Sequence, residues 1–445
     1  MKKKYLIISN SSLEIINNTL TILPFIIFLK LSVNRTFPFV LPFVVFYALM
    51  TTGIFCIRGI KIPLNSSSIL EVSIFCGLVG SLVGILGSII PTLYTLSGFF
   101  LGISAAWLPT SYKTIKLFNY KDNFNLNSNS KLKKLFFLIL GLALVLPYDK
   151  VFISFFAIYT FLYLFTFPIV KAIKQWYVYQ NNLEYYSYWY FVLFLIFFAL
   201  IFYLRSSRLL MSIIQFDYFI NGCLILIILL IIFKVFFYNI PHRKTSFKLR
   251  YMSILNGALN TYLFMFTSIY VSGYYGNINL VYNFYLPYIL GIIIAPKIEN
   301  KLIKNRYKIL VIILIFGFIL MFLKPLYSFG ILVLSTGNIC LSNVLNNIYM
   351  KKNRIANDKK IWIKNTIQST GGIVYQCILM IIGSLLVSQN NFKINELFIA
   401  ISQKFPSDYS RSLVVNWNCI AIIILLLNFL LALFIEFKYD SVNLK

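Results

Sequence analysis

Long apolar runs divide this sequence, and most of its charge lies in the short connections between them. The run ILVIILIFGFILMFL, residues 309–323, has no charged side chain, whereas the connection before it, residues 295–308, holds five basic residues. A helix needs about 20 mostly apolar residues to cross a bilayer. Because lipid offers the backbone no hydrogen-bond partners, such runs must form helices that satisfy their own peptide groups. The pattern predicts an all-α polytopic membrane protein.

Composition supports the same class of protein. Of the 445 residues, 60% are hydrophobic and 12% are charged, whereas about a quarter of an average soluble domain is charged. The net charge of +28 is spread over the connections, so the expected partner is the lipid bilayer and not nucleic acid. The six cysteines all fall inside or at the edge of apolar segments without paired spacing. They are interpreted as small buried apolar residues and not as disulfides or metal ligands.

Fourteen apolar stretches predict about 14 transmembrane helices. Their approximate bounds are 5–31, 37–58, 68–90, 92–112, 133–149, 151–171, 187–205, 209–236, 251–273, 277–296, 307–324, 326–349, 361–388 and 412–437.

The distribution of basic residues predicts the orientation of these helices. With the amino terminus in the cytoplasm, nine of the 40 Lys and Arg residues fall in outside connections, which leaves 31 inside. Cytoplasmic loops of membrane proteins carry this excess. The chain is therefore predicted to cross a bacterial cytoplasmic (inner) membrane with both termini in the cytoplasm. The five tryptophans are predicted near helix ends, as an interfacial belt: Trp107, Trp176, Trp189, Trp362 and Trp417.

A weak internal repeat relates the first and ninth spans. At a constant offset of 242 residues, SSLEIINNTLT (residues 11–21) matches SILNGALNTYL (residues 253–263) at several polar positions. Glu14 and Asn18 lie on one helical stripe, and Asn256 and Asn260 lie on another. Many transporter folds are built from repeated halves, so the match favours duplication of a helical half over coincidence.

Two spans and two connections carry a resemblance to a known family. The fourth span is GFFLGISAAWLPTSYKTIK, and the thirteenth is NTIQSTGGIVYQCILMIIGSLLV. They resemble the fourth and penultimate helices of the major facilitator superfamily. The connections after the second and tenth spans stand where the family has its cytoplasmic signature, a Gly, Asp-Arg and Gly-Arg pattern. Both copies are degenerate. The matching residues are Gly53, Arg58, Gly59 and Lys61 in the first half, and Pro296, Asn300, Lys301 and Lys304 in the second.

The resemblance implies two six-helix halves, residues 1–175 and 251–445, joined by a linking segment, 176–250, with two extra helices. It also implies a secondary active transporter that works by alternating access. We expect export of a small amphiphilic or polar solute, such as a drug, siderophore, small peptide or sugar, and proton coupling is an open possibility.

The sequence contains few side chains that could act in catalysis. The single histidine, His242, lies in a predicted cytoplasmic connection. The sequence has no phosphate-binding glycine-rich loop and no carboxylate cluster with metal-ligand spacing. We therefore predict no enzymatic activity, cofactor or metal. The energy for transport would come from an ion gradient, a solute gradient or a partner protein.

Polar side chains inside the spans are the candidates for coupling or solute binding. Glu14 can take up and release a proton if it lies within the membrane, or it can lie at headgroup depth towards Lys2–Lys4. The amides either line a solute path or hydrogen-bond between helices. No basic residue is expected inside the bundle, which favours an uncharged solute. The candidates are Glu14, Asn18, Asn256, Asn260, Asn365 and Gln376.

Two other functions stay open at this point. A lipid-linked oligosaccharide flippase of the O-antigen type has a similar size, basicity and aromatic content. A non-transporting membrane partner, such as an immunity factor, would use the same apolar helices. The flippase predicts that a lipid-linked intermediate accumulates when the gene is deleted, whereas the partner predicts a phenotype that survives every substitution among the candidate residues.

Overall fold

The structure is a computed structural model, and it describes most of the chain. The described residues are 2–32, 36–60, 65–119, 148–176, 188–209, 246–276, 279–301, 306–352, 355–389 and 406–442, with single residues at 129, 132, 135 and 222. All regular elements in these ranges are helices. Nine are long and apolar enough to cross a membrane, or ten if a bent pair at the amino terminus is one span. The chain is therefore a helical, multi-pass membrane protein.

The chain divides into two compact units. The first consists of Met1–Ile213 and Ile355–Ile363, and the second of Ile214–Arg354 and Lys364–Lys445. The division into segments 1–175, 176–250 and 251–445 stays a prediction. Each unit is described below by itself.

Seven helices and the start of an eighth build the described part of the first unit. They are α1 (Lys2–Thr19), α2 (Leu23–Leu31), α3 (Phe37–Gly59), α4 (Ser66–Leu86), α5 (Leu93–Asn119), α6 (Tyr148–Trp176), α7 (Tyr188–Leu209) and the first residues of α13 (Asn357–Gln389).

The first predicted span, 5–31, is broken in the structure. Helices α1 and α2 meet at a bend of 53°. Pro24 lies in the first turn of α2, where a proline is tolerated because that N–H has no partner within the helix. Within α1, the same proline would remove a hydrogen bond. The proline therefore fits the start of a new helix and explains why α1 ends at Thr19.

Glycines bring α5 close to α3. A Cβ built at Gly98 would lie 2.5 Å from the Pro42 carbonyl oxygen, and one at Gly102 would lie 3.0 Å from the Phe46 carbonyl oxygen. Small residues let membrane helices approach backbone to backbone in this way. Trp107 then donates from Nε1 to the Gly53 carbonyl oxygen at 2.8 Å. These contacts fix the two helices in register.

Two buried arginines hold α7 against α3. The Arg58 guanidinium lies 3.9 Å from the centre of the Tyr190 ring, and the Arg205 guanidinium lies 3.8 Å from that of Tyr47. Cation–π contacts strengthen when the charge is removed from water, and both arginines are buried. The prediction that no basic residue lies inside the bundle is therefore wrong. The sequence could not show that these arginines are buried, because their burial depends on aromatic rings that another helix supplies.

The second unit contains the remaining helices. They are α8 (Phe247–Thr261), α9 (Thr267–Tyr275), α10 (Leu286–Lys301), α11 (Arg306–Phe322), α12 (Tyr327–Met350), the rest of α13 and α14 (Asp408–Val442).

A π-helical turn joins α8 to α9. It covers Tyr262–Phe266, and a second π-helical turn, Val281–Tyr285, precedes α10. A π turn inserts a residue relative to the α-helical repeat, so side chains after it are rotated to another face. Thr267 consequently does not continue the stripe of Asn256 and Asn260, as a regular helix would have required.

Helices α8 and α13 cross at glycines. A Cβ built at Gly257 would lie 1.8 Å from the Gln368 carbonyl oxygen, and one at Gly371 would lie 2.2 Å from the Ile254 carbonyl oxygen. No side chain fits at either position without moving backbone. The paired glycines of the thirteenth span thus have a packing role here.

Some predictions fall outside the described residues. The predicted spans 133–149 and 209–236 lie almost entirely there, and Lys61 and Lys304 lie there as well. The interfacial interpretation of tryptophan is wrong for Trp417, which is fully buried within α14. For Trp107, which lies within α5, it stays a prediction. Trp417 donates from Nε1 to the Leu379 carbonyl oxygen at 2.9 Å, so its polar atom has a partner inside the protein.

Candidate functional site

Glu14 lies at the centre of a polar contact between α1 and α5. Its Oε1 accepts a hydrogen bond from Lys116 Nζ at 2.9 Å and another from the Tyr112 hydroxyl at 3.3 Å. Tyr112 and Lys116 are four residues apart, so they lie on one face of α5. That face is directed at α1, and both donors consequently reach the same carboxylate oxygen.

The two charges of this pair differ in their environment. The Glu14 side chain is 10% exposed, whereas that of Lys116 is 56% exposed. A buried carboxylate is costly unless it is paired and hydrogen-bonded, and Lys116 supplies that compensation from a partly solvated position. An arrangement of this kind can exchange a proton, because the lysine can withdraw when the carboxylate is neutral. The side chains of Lys2–Lys4 lie outside the described ones.

Other polar residues of α1 contact α6. Ser9 Oγ accepts from the Ile169 N–H at 2.9 Å, next to Pro168, which interrupts the backbone pattern of α6. The Thr19 hydroxyl accepts from Tyr159 at 2.8 Å. These bonds hold α1 to α6 and leave Glu14 on the side of α5. Asn18 is exposed, and its Oδ1 accepts from the neighbouring Asn17.

Three amides of the second unit form a chain between α8 and α12. Asn256 Nδ2 donates to Asn338 Oδ1 at 2.7 Å, and Asn338 Nδ2 donates to Asn260 Oδ1. Asn256 is fully buried and Asn260 is half-buried. Such bonds join helices in a membrane, and the structure therefore gives Asn256 and Asn260 interhelical partners.

The remaining candidates lie on α13. Asn365 is half-buried, and Gln376, three turns later, is buried. Of the six predicted residues, Glu14 and Asn18 belong to the first unit and the other four to the second. Asn256 and Asn260 are linked to each other through Asn338.

Solved structures with a similar fold are transporters. A bacterial homologue of the human drug peptide transporters PepT1 and PepT2 has a TM-score of 0.55 at 10% identity, with 99% of this chain and all of that chain covered. The peptide transporter POT in complex with sulfate has a TM-score of 0.53 at 14% identity, with 96% and 94% covered. The chain shares its fold with these two solved structures. No protein-family model matches the sequence, and no curated protein matches it.

The signature-like residues of the first half lie on a helix. Gly53, Arg58 and Gly59 are inside α3, and a Cβ built at Gly59 would lie 2.5 Å from the Phe191 backbone nitrogen. The glycines thus allow close packing against α5 and α7. In the second unit the matching residues Pro296, Asn300 and Lys301 lie within α10.

Three residues that the structure places in polar clusters were not among the predicted candidates. The approximate bounds 92–112 of the fourth span end before Lys116, whereas α5 continues to Asn119. Tyr112 was its last predicted residue. Lys364 is 1% exposed, and its Nζ donates to Ser342 Oγ at 2.9 Å and to Gln368 Oε1. A lysine inside a predicted apolar span was the available signal.

Proposed function

We propose that this protein is a secondary active transporter that couples the movement of a small polar or amphiphilic solute to protons through Glu14. The pairing of the buried Glu14 carboxylate with the exposed Lys116 ammonium is the observation that carries the proposal. The fold supports it, since a study of proton dependent oligopeptide transporters describes a structure with a TM-score of 0.50, 10% identity, and 97% of this chain and 98% of that chain covered.

The Glu14–Lys116 pair can act as the coupling element because the attraction between the two side chains depends on whether Glu14 is protonated. While Glu14 is ionised, its attraction to Lys116 and the hydrogen bond from Tyr112 hold α1 to α5. Protonation removes the negative charge and with it most of the attraction. The lysine is half solvated and can then leave without a large desolvation cost. A change in α1–α5 contact would thus accompany each proton bound or released.

Alternating access would link this change to solute movement. A two-state equilibrium responds to a proton only if the proton binds one state more tightly than the other. We propose that Lys116 contacts Glu14 in one state and not in the other. The proton then binds more tightly to the state without the contact, which meets that condition. The sequence encodes no nucleotide-binding loop, so the proton gradient is the proposed energy source.

The topology that goes with this function is part of the proposal. It has about fourteen helices, two six-helix halves, an extra pair within 176–250, and both termini on the cytoplasmic side of a bacterial inner membrane. Export stays a prediction of the sequence, and the experiment below measures both directions.

Transport by purified protein in proteoliposomes tests the proposal. A panel of labelled drugs, siderophores, small peptides and sugars is offered with a proton gradient of either sign and without one. We expect gradient-dependent movement of at least one solute by the wild type. No gradient-dependent movement of any solute would contradict the proposal and favour a flippase.

Two matched variants then locate the coupling. Glu14→Gln keeps the size of the side chain and removes its charge, so we expect it to lose gradient dependence. Glu71→Gln is the control, because Glu71 forms an exposed ion pair with Lys174 at 2.7 Å and surface pairs contribute little. Equal gradient dependence in the wild type and in Glu14→Gln would remove Glu14 from the mechanism.

A further inference from the structure

Three side-chain atoms of two buried asparagines in the second unit have no hydrogen-bond partner in the described part of the chain. They are Oδ1 and Nδ2 of Asn346 and Oδ1 of Asn256. Asn346 is 1% exposed and Asn256 is fully buried. Nearly all buried polar groups in native proteins are hydrogen-bonded, and in a membrane the unfulfilled bond cannot be made to solvent. These atoms therefore require an explanation.

Helix geometry places Asn346 on the side of α12 that contacts α8. Asn338, Ser342 and Asn346 recur every four residues and so share one face. The two contacts that bracket Asn346 are Asn338 with Asn256 at 2.7 Å and Tyr349 with Ser253 at 3.3 Å. Asn346 consequently points into the same polar layer as Asn256.

Lys364 of α13 brings a positive charge to this layer. Its Nζ donates to Ser342 Oγ at 2.9 Å and also to Gln368 Oε1. Lysine is rarely this buried, and an ionisable residue inside a membrane domain most often serves a function. Ser342, Gln368 and Asn260 are half-buried, so the layer is open at that edge.

We propose that Asn256, Asn338, Ser342, Asn346 and Lys364, here called the amide–lysine face, bind a small solute that carries a carboxylate next to an amide. The Lys364 ammonium donates to the carboxylate. The Asn346 side chain offers one donor and one acceptor, which match the C=O and N–H of a ligand amide. Asn256 Oδ1 is a second acceptor for the same ligand N–H.

This inference rests on the proposed transport function and names its substrate class. It differs from the sequence-based expectation of an uncharged solute because Lys364 is inside the second unit. A purely structural role for Asn346 predicts the opposite stability effect from the one proposed. A structural asparagine loses hydrogen bonds when replaced, whereas an asparagine without partners costs stability in the ligand-free protein.

Binding by the full-length protein in detergent micelles tests the proposal, with N-acetylalanine and its uncharged methyl ester as probes. Isothermal titration is expected to show that the acid binds the wild type at least about tenfold more tightly than the ester, because the bond to the ammonium is charge-assisted. Lys364→Gln is expected to weaken binding of the acid by a similar factor. Lys351→Gln is the control, since Lys351 is exposed at the end of α12.

Asn346→Leu separates binding from folding. We expect it to weaken binding of N-acetylalanine at least about tenfold, with a melting temperature equal to or above that of the wild type. A lower melting temperature would show a structural role and overturn the proposal. Three other results would also overturn the proposal. They are a wild type that binds neither probe, equal affinity of the wild type for the acid and the ester, and unchanged affinity of Lys364→Gln for the acid.

The binding assay needs no proton gradient, so the two proposals fail separately. If the wild type shows gradient-driven transport but Lys364→Gln binds N-acetylalanine as tightly as the wild type, this inference alone is overturned. Binding that follows the expected pattern, without gradient-driven transport, would overturn the coupling mechanism alone.

Discussion

Lys116 Nζ lies 2.9 Å from Glu14 Oε1, although the two residues are 102 positions apart in the chain. The carboxylate is buried and the ammonium is half exposed. This contact joins the first helix of the chain to the fifth within the first unit. The buried Glu14 carboxylate needs the Lys116 ammonium to offset the cost of its burial. The Lys116 ammonium is solvated and does not need Glu14 in the same way.

The unequal burial predicts unequal effects on stability. Lys116→Gln leaves the Glu14 carboxylate buried without its cation, which should cost about 1–3 kcal/mol. Glu14→Gln leaves a lysine that can extend into solvent, which should cost less than about 1 kcal/mol. The double variant should be more stable than Lys116→Gln alone. Unfolding in detergent measures all three, and equal losses in the two single variants would contradict the asymmetry.

The crossing of α8 and α13 predicts that Gly257 cannot be replaced. Gly257→Ala improves helix propensity by about 1 kcal/mol, yet its Cβ would overlap the Gln368 carbonyl oxygen. Overpacking costs about 1–3 kcal/mol, and contact with backbone belongs at the upper end. We expect a net loss of stability or of assembled protein.

A matched control exists for this substitution. Among the described residues, no atom lies within 4 Å of a Cβ built at Gly222. Gly222→Ala gains helix propensity without a clash, so it should keep or raise the melting temperature. Size-exclusion profiles and thermal unfolding of the two variants compare them directly. Equal behaviour of Gly257→Ala and Gly222→Ala would show that the helices can separate at no cost.

Asn338 is predicted to be the structural amide of α12. It bonds to both Asn256 and Asn260, so Asn338→Leu leaves two amides without their partner and should cost about 1–3 kcal/mol. Asn346→Leu, two turns later, removes no such bond. Thermal unfolding should therefore separate the two variants in opposite directions. A larger loss for Asn346→Leu would contradict this assignment.

Sequence alone predicts the helical class and many helix positions well. The predicted span 37–58 corresponds to α3, Phe37–Gly59, and the span 326–349 corresponds to α12, Tyr327–Met350. The length of an apolar segment follows directly from the thickness of the bilayer, so a spanning helix can be recognised in the sequence without a structure. The break after α1 had a visible signal in Pro24, but a proline can also be accommodated by neighbouring helices within a membrane span.

Contacts between distant residues were not predictable in this way. Glu14 was a candidate because a carboxylate inside a span is rare, yet nothing in the sequence pairs it with Lys116. Lys116 lies beyond the apolar stretch 92–112, and a lysine there can extend a helix past its apolar part. Arg205 and Lys364 were missed for a related reason. Their burial depends on aromatic faces and hydroxyl groups supplied by other helices.

Proton movement driven by a solute tests the central claim most directly. Proteoliposomes with an internal pH indicator, a clamped membrane potential and no imposed proton gradient receive a transported solute on one side. Coupling is reciprocal, so a solute gradient must drive protons if protons drive solute. We predict a pH change with the wild type and none with Glu14→Gln. Solute movement by the wild type without a pH change, or an unchanged proton signal in Glu14→Gln, would contradict the proposed mechanism.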